Sequence, residues 1–195
     1  MQRQSVLVLA MLALVVLSPV GMTVSGVAYA DVNDLRPGQW SGGGGVGFLG
    51  NTPDGAAEFA LKGHADYFLA QRFSVGPLAQ YAGAGNDFMF GLSAQAKYWW
   101  DIPNTRNLAK LVLQGGIGFI RAGIKDTDRL GFANTYSSFL IPIGVGIDYT
   151  VSKQLAVTAD FLLNFTSLGE SFRVGGREFD FHTNVMPGLY FGVRF

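Results

Sequence analysis

The sequence predicts an all-β fold: an eight-stranded antiparallel transmembrane β-barrel, preceded by a cleaved signal peptide. Three observations lead there. The chain opens on an export leader. Most of the remaining chain alternates between two faces with a period of two, the repeat of a strand. The final segment, Val185 to Phe195, places Val185, Pro187, Leu189, Phe191, Val193 and Phe195 on one face and stops on that last aromatic. In water an uncharged edge of this kind invites aggregation. In a bilayer it is an ordinary lipid-facing strand, provided the sheet closes on itself.

The leader comes first. Arg3 precedes an uncharged apolar run from Val6 to Val20, and Ala28-Tyr29-Ala30 comes after it. A basic start, an apolar core of about 15 residues and an A-x-A site describe a secretory signal peptide. The run falls short of the ~20 residues that a spanning helix needs. The expected organisation is therefore a signal peptide over 1–30 and one barrel domain over 31–195. Losing Arg3 with the leader turns the balance of 14 basic and 14 acidic side chains into a net charge of −1. No basic patch for nucleic acid is expected. The chain has no Cys, which excludes a disulfide scaffold despite export. Charged residues make up only 14%, while aromatics reach 13%. Soluble domains carry about 25% charged residues. The low charge therefore fits a wall that faces lipid.

The first strand, Trp40 to Leu49, is glycine through Gly42–Gly45. A phosphate-binding reading of that run fails, because Val46-Gly47-Phe48 continues a strand where a Lys-Ser/Thr and a helix would be needed. Glycine in a barrel wall instead permits close approach or tight curvature. The second, Phe59 to Leu69, has Phe59, Leu61, Tyr67 and Leu69 on one face and Lys62, His64 and Asp66 on the other. The third, Phe73 to Ala82, alternates but contains Pro77, which weakens it as an interior strand. The fourth, Phe88 to Trp100, opposes Phe88, Phe90, Leu92, Tyr98 and Trp100 to Ser93, Gln95 and Lys97. The fifth runs from about Ala109 to Ile124, with Leu111, Leu113, Ile117 and Phe119 outward and Lys110 and Gln114 inward. The sixth, Phe139 to Tyr149, sets Ile141, Ile143, Val145 and Ile147 against Asp148. The seventh, Leu155 to Phe165, sets Val157, Phe161 and Leu163 against Asp160 and Asn164. The eighth is the terminal segment, with Arg194 on its inner face. Each is about 10 residues, the length of a tilted crossing strand. Eight is a common closed size, and an even count leaves both termini on one side.

Loop lengths orient the barrel. Turns near 70–72 and 150–154 are tight, whereas connections at about 125–135 and 166–181 are longer. Barrels of this kind keep short turns in the periplasm and long loops outside. This orientation defines two aromatic girdles. Trp40, Tyr67, Phe73, Tyr98, Trp100, Tyr149 and Phe195 lie at the periplasmic ends, with Phe48, Phe59, Phe88, Phe119, Tyr136 and Phe165 at the outer ends.

The leader, the eight alternating segments, the Asp101-Ile102-Pro103 turn and the terminal Gly192-Val193-Arg194-Phe195 resemble the small eight-stranded outer-membrane β-barrel proteins of Gram-negative bacteria. That resemblance implies the bacterial outer membrane as location. It also implies outer-membrane lipid, periplasmic chaperones and the barrel-assembly machinery as partners. Phe191, Val193 and Phe195 look like the terminal signal that this machinery reads. A monomer without a cofactor is expected, and metal binding is unsupported because the two His residues lie far apart and Cys is absent.

Parity assigns the lumen. Lys62, His64, Asp66, Gln80, Gln95, Lys97, Lys110, Gln114, Asp148, Asp160, Asn164, Asn184 and Arg194 point inward. A barrel of eight strands has room for side chains and little else. Unpaired charge away from water is costly, so these groups are expected to pair across the lumen, with Arg194 among Asp148 and Asp160. The reading is a plugged, non-enzymatic envelope protein with a structural or surface-interaction role. Two alternatives stand beside it: a narrow channel for small or hydrophobic solutes, and a lipid A-modifying enzyme. For catalysis the candidates are His64 with Asp66, a base and its orienter, and His182 in Phe181-His182-Thr183-Asn184 with Ser171 nearby. The latter faintly resembles the His-x-Ser-Asn run of outer-membrane deacylases.

Overall fold

The computed structural model describes Val32 and residues 35–52, 57–83, 87–126, 131–167 and 184–195, with backbone only at 87, 124–126 and 131–136. The predicted leader, the 166–181 loop beyond Ser167, Ser171 and His182 lie outside the described residues. The strands are β1 (Trp40–Leu49), β2 (Glu58–Ala70), β3 (Phe73–Ala82), β4 (Asp87–Asp101), β5 (Ala109–Asp126), β6 (Gly131–Ser152), β7 (Leu155–Thr166) and β8 (Asn184–Arg194). They form a closed barrel in sequence order, each antiparallel to its neighbours. The seam pairs β1 with β8 from Gly43↔Arg194 to Leu49↔Gly188. Two bonds between the backbones of Gly42 and Phe195 (2.8 and 2.9 Å) extend it to the last residue.

One expectation is corrected at the loops. The 125–135 segment is mostly strand, because β5 runs to Asp126 and β6 starts at Gly131, with Asp126 opposite Gly131. Its polar composition reads as a loop. Beyond a bilayer, however, a hairpin needs only its backbone ladder and no apolar alternation. A register shift between Gly123 and Ile124 carries the ladder through.

Proline does not demote the third strand. The β2–β3 ladder passes from His64↔Leu78 to Tyr67↔Val75 and omits Gly76 and Pro77. On the other side Pro77 pairs with Ala94. Pro142 repeats the device, with a gap towards β5 and Asn164 opposite it in β7. Each ring opens the ladder on one side only, so a strand with two neighbours accommodates it.

The alternation sorts the side chains as a barrel requires. The outer wall carries the exposed large apolar residues, including Ile117 at 69% and Trp40 at 66%. Trp40 meets Tyr67 at a tilt of 48° (5.1 Å between centroids), and Phe48 meets Phe59 edge-on (6.3 Å). Phe88 departs from the predicted outer girdle, since it is buried. The side chain of Tyr136 is not among those described.

Close approach explains the inward glycines of β1. A Cβ on Gly43 would lie 2.5 Å from the Val193 carbonyl oxygen, and one on Gly47 would lie 1.9 Å from that of Leu189. Gly42 and Gly44 face outward and meet nothing closer than 3.2 Å.

Candidate functional site

The lumen stacks in three layers. At the end carrying the termini, Phe68, Trp99, Val112 and Leu35 form an apolar cluster. At the loop end, Leu78, Met89, Ile120, Leu140, Leu162, Met186 and Tyr190 belong to a second. Between them lies the ionic layer. Sequence reasoning placed the polar residues inward but missed these two apolar layers. The signal was present, since Leu78, Met89, Trp99, Leu140, Leu162 and Met186 share the inward parity of the charges.

Arg194 is the deepest-set cation, with both its side chain and that of Asp148 only 1% exposed. Its Nε and Nη2 donate to Asp148 Oδ2 and Oδ1 at 2.7 and 2.9 Å, a two-pronged pair between β8 and β6. Such a pair fixes orientation as well as charge. Nη1 also donates to Ser41 Oγ (3.3 Å), and the guanidinium lies 4.9 Å from the Trp99 ring. Trp99 Nε1 donates to Ser74 Oγ at 2.9 Å.

Lys62 reaches across from β2 to Asp160 of β7, and Gln114 Nε2 donates to the other carboxylate oxygen at 3.2 Å. Lys97 of β4 pairs with Asp66 of β2 at 3.0 Å. His64 Nε2 lies 3.4 Å from the same Asp66 oxygen, while its Nδ1 makes no hydrogen bond. Gly43 leaves the space for this ring, because a Cβ there would sit 2.6 Å from His64 Cε1. Above the charges, Tyr190 Oη donates to Gln80 Oε1 and Gln80 Nε2 donates to Asn164 Oδ1, both at 3.0 Å. Three buried cations of this layer thus meet three buried carboxylates, and of the six carboxylate oxygens Asp66 Oδ1 alone makes no hydrogen bond.

Three expectations need correction. Arg194 takes Asp148, while Asp160 is taken by Lys62. Lys110 stands opposite Asp148 in register, yet its ammonium turns down to its own hairpin. There it donates to Asp101 Oδ1 (2.9 Å) and the Asn107 carbonyl (3.2 Å). The guanidinium already holds both Asp148 oxygens, which leaves Lys110 the nearer turn. Asn184 is not in the lumen. It bonds Asn51 at the loop end of the β1–β8 seam, its Nδ2 donating to the Asn51 carbonyl at 3.2 Å.

Space is as informative as charge. Within the loop-end apolar layer lies a cavity of about 10 Å³, lined by Leu49, Gln80, Met89, Ile120, Asn164 and Tyr190 among others. That is room for about one water molecule. Phe191 and Phe195 are exposed on the outer wall and Val193 is half-buried there, all on the strand that closes the seam.

No protein-family model matches the chain, and no curated protein does. Solved structures do. The Neisserial surface protein A is 18% identical, over 80% of this chain and 94% of that one, with a TM-score of 0.57. The N-terminal β-barrel domain of OprF from Pseudomonas aeruginosa is 13% identical, over 80% and 97%, with a TM-score of 0.51. At these identities the likeness is one of fold. The chain folds as the small eight-stranded outer-membrane β-barrels do.

Proposed function

We propose that this chain is an integral barrel of the bacterial outer membrane, exported by its leader, whose plugged lumen neither conducts nor catalyses. Its role lies in the envelope, either structural or through surface interaction of its loops. One observation carries the reading: a balanced ionic layer is enclosed between two apolar layers, inside a wall whose outer belt is apolar. An open aqueous path would hydrate those charges and would not need each cation to be matched with a carboxylate. The partners are outer-membrane lipid, periplasmic chaperones and the barrel-assembly machinery; nucleic acid is not among them, and the barrel acts as a monomer.

Planar-bilayer recording of the refolded protein tests this directly. The expected result is a closed trace, both for the unaltered chain and for Lys97→Ala. Removal of that one ammonium leaves both apolar layers in place. Steady conductance would favour the narrow-channel reading instead.

The terminal aromatic is proposed as the assembly signal, with Phe191 and Val193. Deletion of Phe195 should lower the folded, heat-modifiable protein in cell envelopes several-fold. Refolding of the same variant from urea into detergent micelles should be nearly unaffected. Equal losses in both settings would make Phe195 a structural residue of the seam rather than a signal.

A further inference from the structure

Before β1 begins, Val32 and residues 35–39 lie at the mouth at the terminal end of the barrel. Val32 is buried and donates its N–H to the Lys153 carbonyl in the β6–β7 turn at 2.8 Å. Gly38 donates to the Phe68 carbonyl of β2 at 2.8 Å, and Phe68 returns a bond to the Gln39 carbonyl at 2.9 Å. In a ring of eight strands β2 and β6 stand opposite one another, so the two anchors lie on opposite sides of the mouth. Between them Leu35, 8% exposed, packs into the cluster of Phe68, Trp99 and Val112. Further in, Trp99 carries the Arg194 guanidinium on its ring.

Nothing in the strand pattern requires this arrangement. The β1–β2 ladder starts at Trp40↔Tyr67, so the barrel closes without any residue before Trp40. The preceding segment nevertheless uses a left-handed glycine, Gly38 at φ 87°, to turn from the mouth into the wall. It also exchanges two backbone bonds with a strand whose end would otherwise be free. An apolar side chain held over an apolar cluster, with backbone anchors on both sides, is a stopper on a strap.

We propose that Val32 and residues 35–39 form a strap that latches across the terminal mouth, with Leu35 as its stopper, and that release of the strap opens a vestibule leading to the Arg194–Asp148 pair. The mouth is closed by a detachable segment and the loop end by fixed wall residues. The two ends therefore open independently. Strap release hydrates the vestibule without creating a through-path, because the loop-end apolar layer stays shut.

The chain has no cysteine, so one introduced thiol reports cleanly. The full mature chain carrying Val112→Cys is refolded into lipid nanodiscs and exposed to a small charged maleimide. Slow labelling is expected. Adding Leu35→Asp removes the stopper. Adding Gly38→Pro removes the donor to Phe68 and demands a φ near −65° in place of a positive one. Either change is expected to accelerate labelling by about tenfold or more, the signature of a local opening that leaves the barrel folded. Heat-modifiability on a gel checks that each variant still closes. Labelling that is already fast with the native strap, or equally slow in all three proteins, would overturn the strap. The inference goes beyond the closed-lumen reading, and the two fail separately: conductance of the unaltered chain would sink that reading, whereas the labelling rates decide this one.

Discussion

Arg194→Ala is expected to destabilise the barrel by about 3–5 kcal/mol, the usual cost of stranding one member of a buried ion pair. The variant leaves Asp148, itself 1% exposed, with neither of its two donors. It also removes the cation from the Trp99 ring and the bond to Ser41 at the seam. Urea titration of the protein in micelles, followed by its heat-dependent gel shift, measures the loss. The double change Arg194→Met with Asp148→Leu should recover most of it, since replacing both charges with apolar groups of similar size removes the stranded carboxylate. If the single variant loses less than about 1 kcal/mol, the range of an exposed pair, the pair is hydrated and the layered lumen is wrong.

Gly47→Val should prevent closure altogether. Gly47 faces inward on β1 opposite Tyr190 of β8. An added Cβ would lie 1.9 Å from the Leu189 carbonyl oxygen and 2.8 Å from the Tyr190 Cα. Both obstacles are backbone, so no rotamer relieves them and the seam itself must move. The expected outcome is loss of the heat-modifiable species on refolding and an open, protease-sensitive sheet. Gly44→Val is the matched control on the same strand. Its side chain would point outward, with only the Lys62 carbonyl as near as 3.2 Å, and it should refold with little loss. If both variants fold equally well, close approach at the seam is not what the inward glycines of β1 provide.

Much of the molecule was legible in the residues. Eight segments, their faces and nearly all their boundaries arise from alternation. β1 and β3 agree to the residue, and the others differ at their ends. The largest difference is β6, which begins at Gly131 rather than Phe139. The signal faded there because polar residues outside a bilayer can extend a hairpin without showing an apolar face. Asn184 went astray for a related reason. Parity sends it inward, but at the rim of the barrel inward is no longer lumen, and the seam offered Asn51. The stopper Leu35 left no trace in any pattern, since a lone leucine ahead of the first strand looks like linker.

The identity of the fold and the inward set of charges were thus decided locally, because a strand's two faces alternate whatever it packs against. The choice of partners was decided globally. Lys62 and Asp160 are 98 residues apart, and Arg194 and Asp148 are 46 apart. Whether they share a level depends on the stagger accumulated around the closed barrel, which no single strand encodes. The same closure brings Gly47 against Leu189, seats Leu35 over Trp99, and converts a list of inward charges into three ion pairs between two apolar layers.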